Sequence, residues 1–230
     1  MGGAVQASPA PCSATPEAGG MAVDVSQRVD VFVKVYPTST MRTYLAQAVL
    51  ERLAYYIEAG EARVLALVTA GSYLNGPAPE QRARGVECVR LYQKDYNLAA
   101  KQFAEDHAAS PTYVVLDDDH LPLGRDWLSA GVQALEEHPD HVLLSSWSIN
   151  GEVPLREPVG SVFHVGGSQG APYFARRGML GTLPAGQLES YDEVFTNHAR
   201  TVGATGFLRY VRHNHLGYGY SQVVPGHWGA

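Results

Sequence analysis

The stretch YVVLDDDHLPLGRDW, residues 113–127, passes directly from strand-forming residues (Tyr113 to Leu116) to Asp117, Asp118 and Asp119. Three adjacent carboxylates at the tip of a buried strand repel one another and need a positive counterpart. Alternate carboxylates, Asp117 and Asp119, can converge on one hard divalent cation. Oxygen ligands suit Mg²⁺ or Mn²⁺, which keep waters and bridge to substrate phosphates. A metal carrying a diphosphate would supply the missing charge. A solvated acidic turn, with Asp126 capping the next helix, is the plainer alternative.

Two further groups could do chemistry. RYVRHNHLGYG places His213 and His215 two apart, just after a predicted strand, so an extended backbone points both to one face. They can offer a third ligand to the metal or contact a diphosphate; hydrogen-bonded or surface histidines are the alternative. GGSQGAPYFARRGML sets Gly166, Gly167 and Gly170 ahead of Arg176 and Arg177. No Gly-Lys-Ser/Thr follows, so this is not a P-loop.

Strand and helix signals alternate through the first half. Strands are predicted over 29–36, 62–72, 86–94 and 141–149, with another ending at the acidic tip. Helices are predicted over 40–60, 97–110 and about 126–137; the first has Leu45, Val49, Leu53 and Ile57 at helical spacing. The pattern implies an α/β layer with a largely parallel sheet, whose ligands bind outside the carboxyl ends of the strands. Asp117 to Asp119 sit at one such end. From about residue 150 the chain is rich in Gly and loop residues, then regains a helix near 189–202 and a strand near 206–211.

Composition bounds the rest. The chain has 230 residues, 45% of them apolar, enough for a sizeable core. A net charge of −6 disfavours a protein held on nucleic acid by phosphate neutralisation alone. Residues 1–27 are rich in Gly, Ala, Pro and Ser and read as a flexible leader, with the fold starting near Arg28. The two cysteines, Cys12 and Cys88, do not suggest a disulfide framework. No apolar run approaches the roughly 20 residues needed to span a bilayer, and no signal-peptide pattern opens the chain. A soluble, cytoplasmic protein is expected.

From about 29 to 211 the chain resembles the GT-A glycosyltransferases, most like the family 2 type of inverting enzymes. The resemblance rests on ordered pieces: VFVKVYPTSTMR, LALVTAGS, NLAAKQFAEDHAASPTYVVLDDDHLPLGRDWL and YDEVFTNHARTVG. It implies a Rossmann-like nucleotide-binding GT-A fold: a mixed, mostly parallel sheet with flanking helices in a single domain over 28–230. Residues 28–149 would form the donor half and 150–230 the acceptor half. Asp117 and Asp119 resemble the Asp-x-Asp motif, one or both binding Mn²⁺ or Mg²⁺, with His213 or His215 as the late histidine. Asp118 would lie near the donor ribose or sugar, and Pro37 and Thr38 would line the base pocket. Ser72 ends the second-strand turn, Asn97 is a partial match to the family asparagine, and Lys101 falls near the phosphates. Thr69 and Ala70 stand where family members often carry a base-reading acid.

An inverting transfer needs a carboxylate to take the acceptor hydroxyl proton. Asp192 lies eleven residues before Gly203, the family's spacing for that base, and Glu193 is second choice. Acids simply favouring a helix start are the alternative. The resemblance thus implies a metal-dependent, hexosyltransferase-like enzyme using a nucleotide-diphosphate sugar. A non-catalytic nucleotide-sugar-binding module and a sugar nucleotidyltransferase are the rival readings. The acceptor is open, a nucleic acid included, and a homodimer is compatible with the sequence.

Overall fold

The computed structural model describes residues 28–36, 39–69, 84–91, 96–149, 162–163, 170–184 and 191–217. Among the described residues four helices flank one sheet: α1 (Thr40–Glu58), α2 (Tyr96–His107), α3 (Trp127–Glu137) and α4 (Tyr191–Val202). The strands are β1 (Val29–Val35), β2 (Ala62–Thr69), β3 (Glu87–Leu91), β4 (Thr112–Asp117) and β5 (His120–Pro122). They continue with β6 (His141–Ser148), β7 (Val162–Phe163), β8 (Tyr173–Arg176) and β9 (Ala204–His215). Among the described residues the nine strands run in the order β3-β2-β1-β4-β8-β6-β9-β5, with β7 also on β9.

β3, β2, β1 and β4 pair in parallel, as do β6 and β9; β8 runs antiparallel between β4 and β6. The sheet is therefore mixed and mostly parallel, as expected. Its central antiparallel strand β8 was not expected, because it lies within the Gly-rich segment. β9 also runs past the predicted end at 211, so His213 and His215 lie within a strand rather than after one.

The strands are buried on both faces, and alternation divides their side chains between two cores. Val31, Val33, Val35, Val114, Leu116 and Phe174 pack with α1 and α3. Phe32, Tyr113, Val115, Tyr173 and Ala175 pack with α2 and α4. Ser39 starts α1: its Oγ accepts from the Arg42 amide at 3.2 Å, satisfying a donor the first turn would otherwise leave open.

Gly131 is required where α3 crosses β8. A Cβ there would enter the Phe174 ring, which already lies 4.9 Å from the Trp127 ring. Gly131→Ala gains up to about 1 kcal/mol of helix propensity but overpacks a site where such strain costs about 1–3 kcal/mol. Overpacking wins, so the variant should unfold at lower urea and lower temperature than wild type. An unchanged or higher midpoint would contradict this packing.

Candidate active site

Strand alternation decides which cation meets which carboxylate. Asp117 continues the Tyr113 and Val115 face, toward α2 and α4, and Lys34 follows Phe32 on the same face of β1. The parallel register sets Lys34 beside Asp117, and Lys34 Nζ lies 2.5 Å from Asp117 Oδ1 and 3.1 Å from Asn97 Oδ1. Asp118, just past the strand end, is fully buried against the Arg42 guanidinium of α1. Its Oδ2 accepts from the Tyr36 amide at 2.7 Å, fixing the chain immediately before Pro37. Arg42 Nη1 also lies 2.6 Å from Asp119 Oδ2.

Arg42 is thus a buried fork spanning two carboxylates, a geometry suited to guanidinium. It sits in the first turn of α1, where the helix dipole disfavours a cation. The ion pairs offset that cost. Lys34 and Arg42 thus stand as two cations against three carboxyl groups. Burial pushes the Asp118 carboxyl up to about 7, against the pull of Arg42.

Asp119 faces histidines. β5 pairs antiparallel with β9, setting His120 opposite His215 and Pro122 opposite His213. The Leu216 amide donates to the Asp119 carbonyl at 2.7 Å, holding Asp119 at the end of this ladder. His215 Nε2 lies 3.4 Å from Asp119 Oδ2, and His120 Nε2 lies 3.9 Å from Asp119 Oδ1. Burial opposes ionisation of Asp119, but His215, His120 and Arg42 hold its carboxyl well below the usual carboxylate range. His213 is buried, with Nδ1 2.6 Å from Ser146 Oγ. Burial, with His120 and His215 adding to it, lowers His213 to about 2, so its ring is neutral.

Asn97 and Lys101, four apart on α2, face the same side. Lys101 Nζ lies 2.8 Å from Asp192 Oδ1 and 4.2 Å from the centre of the Phe195 ring. Lys101 is 2% exposed and Asp192 52% exposed, so a buried cation holds a carboxylate that remains open to a partner. Burial would raise Asp192, but Lys101 and Lys34 bring it below its ordinary value. A Cβ at Gly170 would come 2.8 Å from Asp192 Oδ2, so glycine leaves this carboxylate its room. Glu193, one helix step on, is exposed.

The structure thus brings together Asn97, Lys101, Asp117, Asp118, Asp119, Asp192, His213 and His215 of the expected residues. Lys101, expected near phosphates, contacts Asp192. Pro37, Thr38, Ser72, Gly166, Gly167 and the leader 1–27 lie outside the described residues. Sequence reasoning gave no role to Lys34, Arg42 or His120. A lysine inside the apolar run VFVKVY and an arginine in a helix's first turn were the available signals.

No family model matches the chain, and no curated protein matches it. Solved structures do. The mannosyltransferase PcManGT from Pyrobaculum calidifontis, in complex with GDP-Man and Mn²⁺, is 17% identical, with 87% of this chain and 60% of that chain covered at a TM-score of 0.58. The S. aureus TarS fragment 1–349 in complex with UDP-GlcNAc is 16% identical, with 81% and 57% covered at 0.56. The same fragment in a second structure is 15% identical, with 81% and 59% covered at 0.53. At these identities the likeness establishes the fold: this is a GT-A glycosyltransferase fold. The matched part of the chain spans 57–60% of the length of these neighbours.

Arg42→Met tests the fork. It leaves Asp118 and Asp119 buried without their guanidinium, a loss of about 3–5 kcal/mol for a broken buried pair. Arg42→Lys should recover only part of it, since one ammonium does not span both carboxylates. Urea unfolding reads both; a loss below about 1 kcal/mol for Arg42→Met, the size of an exposed pair, would contradict the assignment.

Proposed function

We propose that this protein is a metal-dependent glycosyltransferase moving a sugar from a nucleoside-diphosphate sugar to an acceptor hydroxyl with inversion. One observation carries the reading. Two carboxylate centres, the acidic tip and Asp192, flank the buried Lys34 and Lys101 at the carboxyl ends of parallel strands. The GT-A fold supports the donor class, and GDP-Man and UDP-GlcNAc in the neighbours are both nucleoside-diphosphate sugars.

The residues present fit a divalent cation. Asp119 and His215 offer a carboxylate and an imidazole, with Asp117 and His213 alongside. A Cβ at Gly217 would collide with the Asp119 carboxylate, so glycine keeps that space for Asp119. A bound Mn²⁺ or Mg²⁺ supplies charge neutralisation for the departing diphosphate. Lys34, itself held by Asn97, fixes Asp117, and Asp118 ties the Tyr36 amide to Arg42, shaping the donor side that Pro37, Thr38 and Ser72 would complete.

Asp192 is the base. Its carboxylate takes the acceptor hydroxyl proton as that oxygen bonds to the anomeric carbon, while the bond from that carbon to the diphosphate oxygen breaks on the opposite face. Lys101 orients the carboxylate and keeps it ionised; Glu193 is the alternate acid on the same helix turn. A binding module without turnover would have no use for such a held, open carboxylate.

Turnover with Mn²⁺ and a panel of nucleotide sugars tests the reading. Asp192→Asn should cut it by on the order of 10²–10⁴ and leave donor affinity unchanged. Full activity in Asp192→Asn would remove its role as base. The acid limb of kcat/KM reports the same group. Asp192 acts only when deprotonated, and its pKa is depressed, so wild type should keep activity as pH falls into the ordinary carboxylate range. Lys101→Met removes the nearest cation, raises that pKa and should move the limb upward. An unmoved limb would contradict the Lys101–Asp192 link.

A further inference from the structure

The structure assigns His120 to the metal centre: we propose that Asp119, His120 and His215 form a two-imidazole, one-carboxylate site, oriented by Asp117, that prefers a first-row transition ion to Mg²⁺. The proposal deepens the glycosyltransferase reading and rests on it for the ion's use, but not for the site itself.

Three observations converge. Ligand atoms of Asp119, His120 and His215 all lie within 4.8 Å of one another. The separations to the Asp119 oxygens are 3.4 Å from His215 Nε2 and 3.9 Å from His120 Nε2. They are the separations of neighbouring ligands each about 2.1 Å from one ion. Second, Asp119 Oδ1 and His120 Nδ1 are buried with no hydrogen-bond partner, and their residues are 1% and 6% exposed. Orphaned polar atoms at such depth are costly, and an ion at this place relieves the Asp119 oxygen. Third, the β5–β9 register makes His120 and His215 direct cross-strand partners, their rings 4.5 Å apart. Their convergence is therefore built into the backbone.

Asp117 completes the arrangement from outside. Its Oδ2 lies 3.8 Å from His120 Nδ1, while Lys34 holds its Oδ1. A small approach lets His120 donate its Nδ1 proton to Asp117 and present Nε2 toward Asp119. A carboxylate behind a ligating imidazole is the usual device for fixing its tautomer and orientation. On this assignment Asp117 is a positioning residue, and His213 backs the site through its ring contact with His120 at 4.8 Å. Imidazole ligands favour transition ions, whereas an all-oxygen set would suit Mg²⁺.

The test is pulsed electron paramagnetic resonance on the full chain loaded with Mn²⁺, alone and with GDP or UDP, together with calorimetric titration of Mn²⁺ and Mg²⁺. Wild type should show couplings to two imidazole nitrogens and bind Mn²⁺ at least tenfold tighter than Mg²⁺. His120→Asn should keep one coupling and lose tenfold or more in Mn²⁺ affinity. Asp117→Asn should keep both couplings and bind about 10–100-fold more weakly. Mn²⁺ bound to wild type with a single imidazole coupling overturns the proposal whether or not the variants fold, and leaves the transferase reading standing. No Mn²⁺ binding in either nucleotide state overturns the proposal and removes metal dependence from the transferase reading as well.

Discussion

The burial of negative charge at the end of β4 is the constraint the rest of the structure answers. Asp117, Asp118 and Asp119 close a strand whose preceding residues are fully enclosed. Carboxylates there must be paired or they will not stay ionised. The fold meets this from three directions: Lys34 along the neighbouring strand, Arg42 from the first turn of α1, and histidines from the β5–β9 ladder. Each solution strains a local preference. A lysine interrupts an apolar strand, an arginine occupies the wrong end of a helix dipole, and three imidazoles crowd one face.

The same alternation that builds two cores sorts the tip into separate tasks. Odd positions of β4 face α2 and α4, which brings Asp117 to Lys34 and toward the Lys101–Asp192 pair. The next residue turns the other way and locks onto α1. The third falls on the late strand. On the proposed reading, donor side, scaffold and metal side are separated by single-residue steps, and a register slip in β4 would exchange them.

Much of the fold was legible because buried parallel strands leave continuous apolar runs and α1 has a clear helical period. β8 was not legible. Tyr173 to Arg176 is a four-residue strand that follows a glycine-rich stretch of sequence, and its antiparallel placement depends on β4 and β6 standing on either side of it. In the site, the acidic triplet and Asp192 stood out by type and order. His120 did not, because its significance is a cross-strand pairing with His215, 95 residues later, that no local pattern encodes. Arg42 was hidden in the same way: only the packing of α1 on the sheet brings its guanidinium to the tip.

On the proposed reading, this charged tip receives a nucleoside diphosphate through a divalent ion. Calorimetry of UDP and GDP against the full chain, first in chelator and then in Mn²⁺, addresses it directly. At least one of the two should bind, binding should require the ion, and Asp119→Ala should abolish it while the protein stays folded. Binding of neither nucleotide with Mn²⁺ present, or equal binding in chelator, would contradict it.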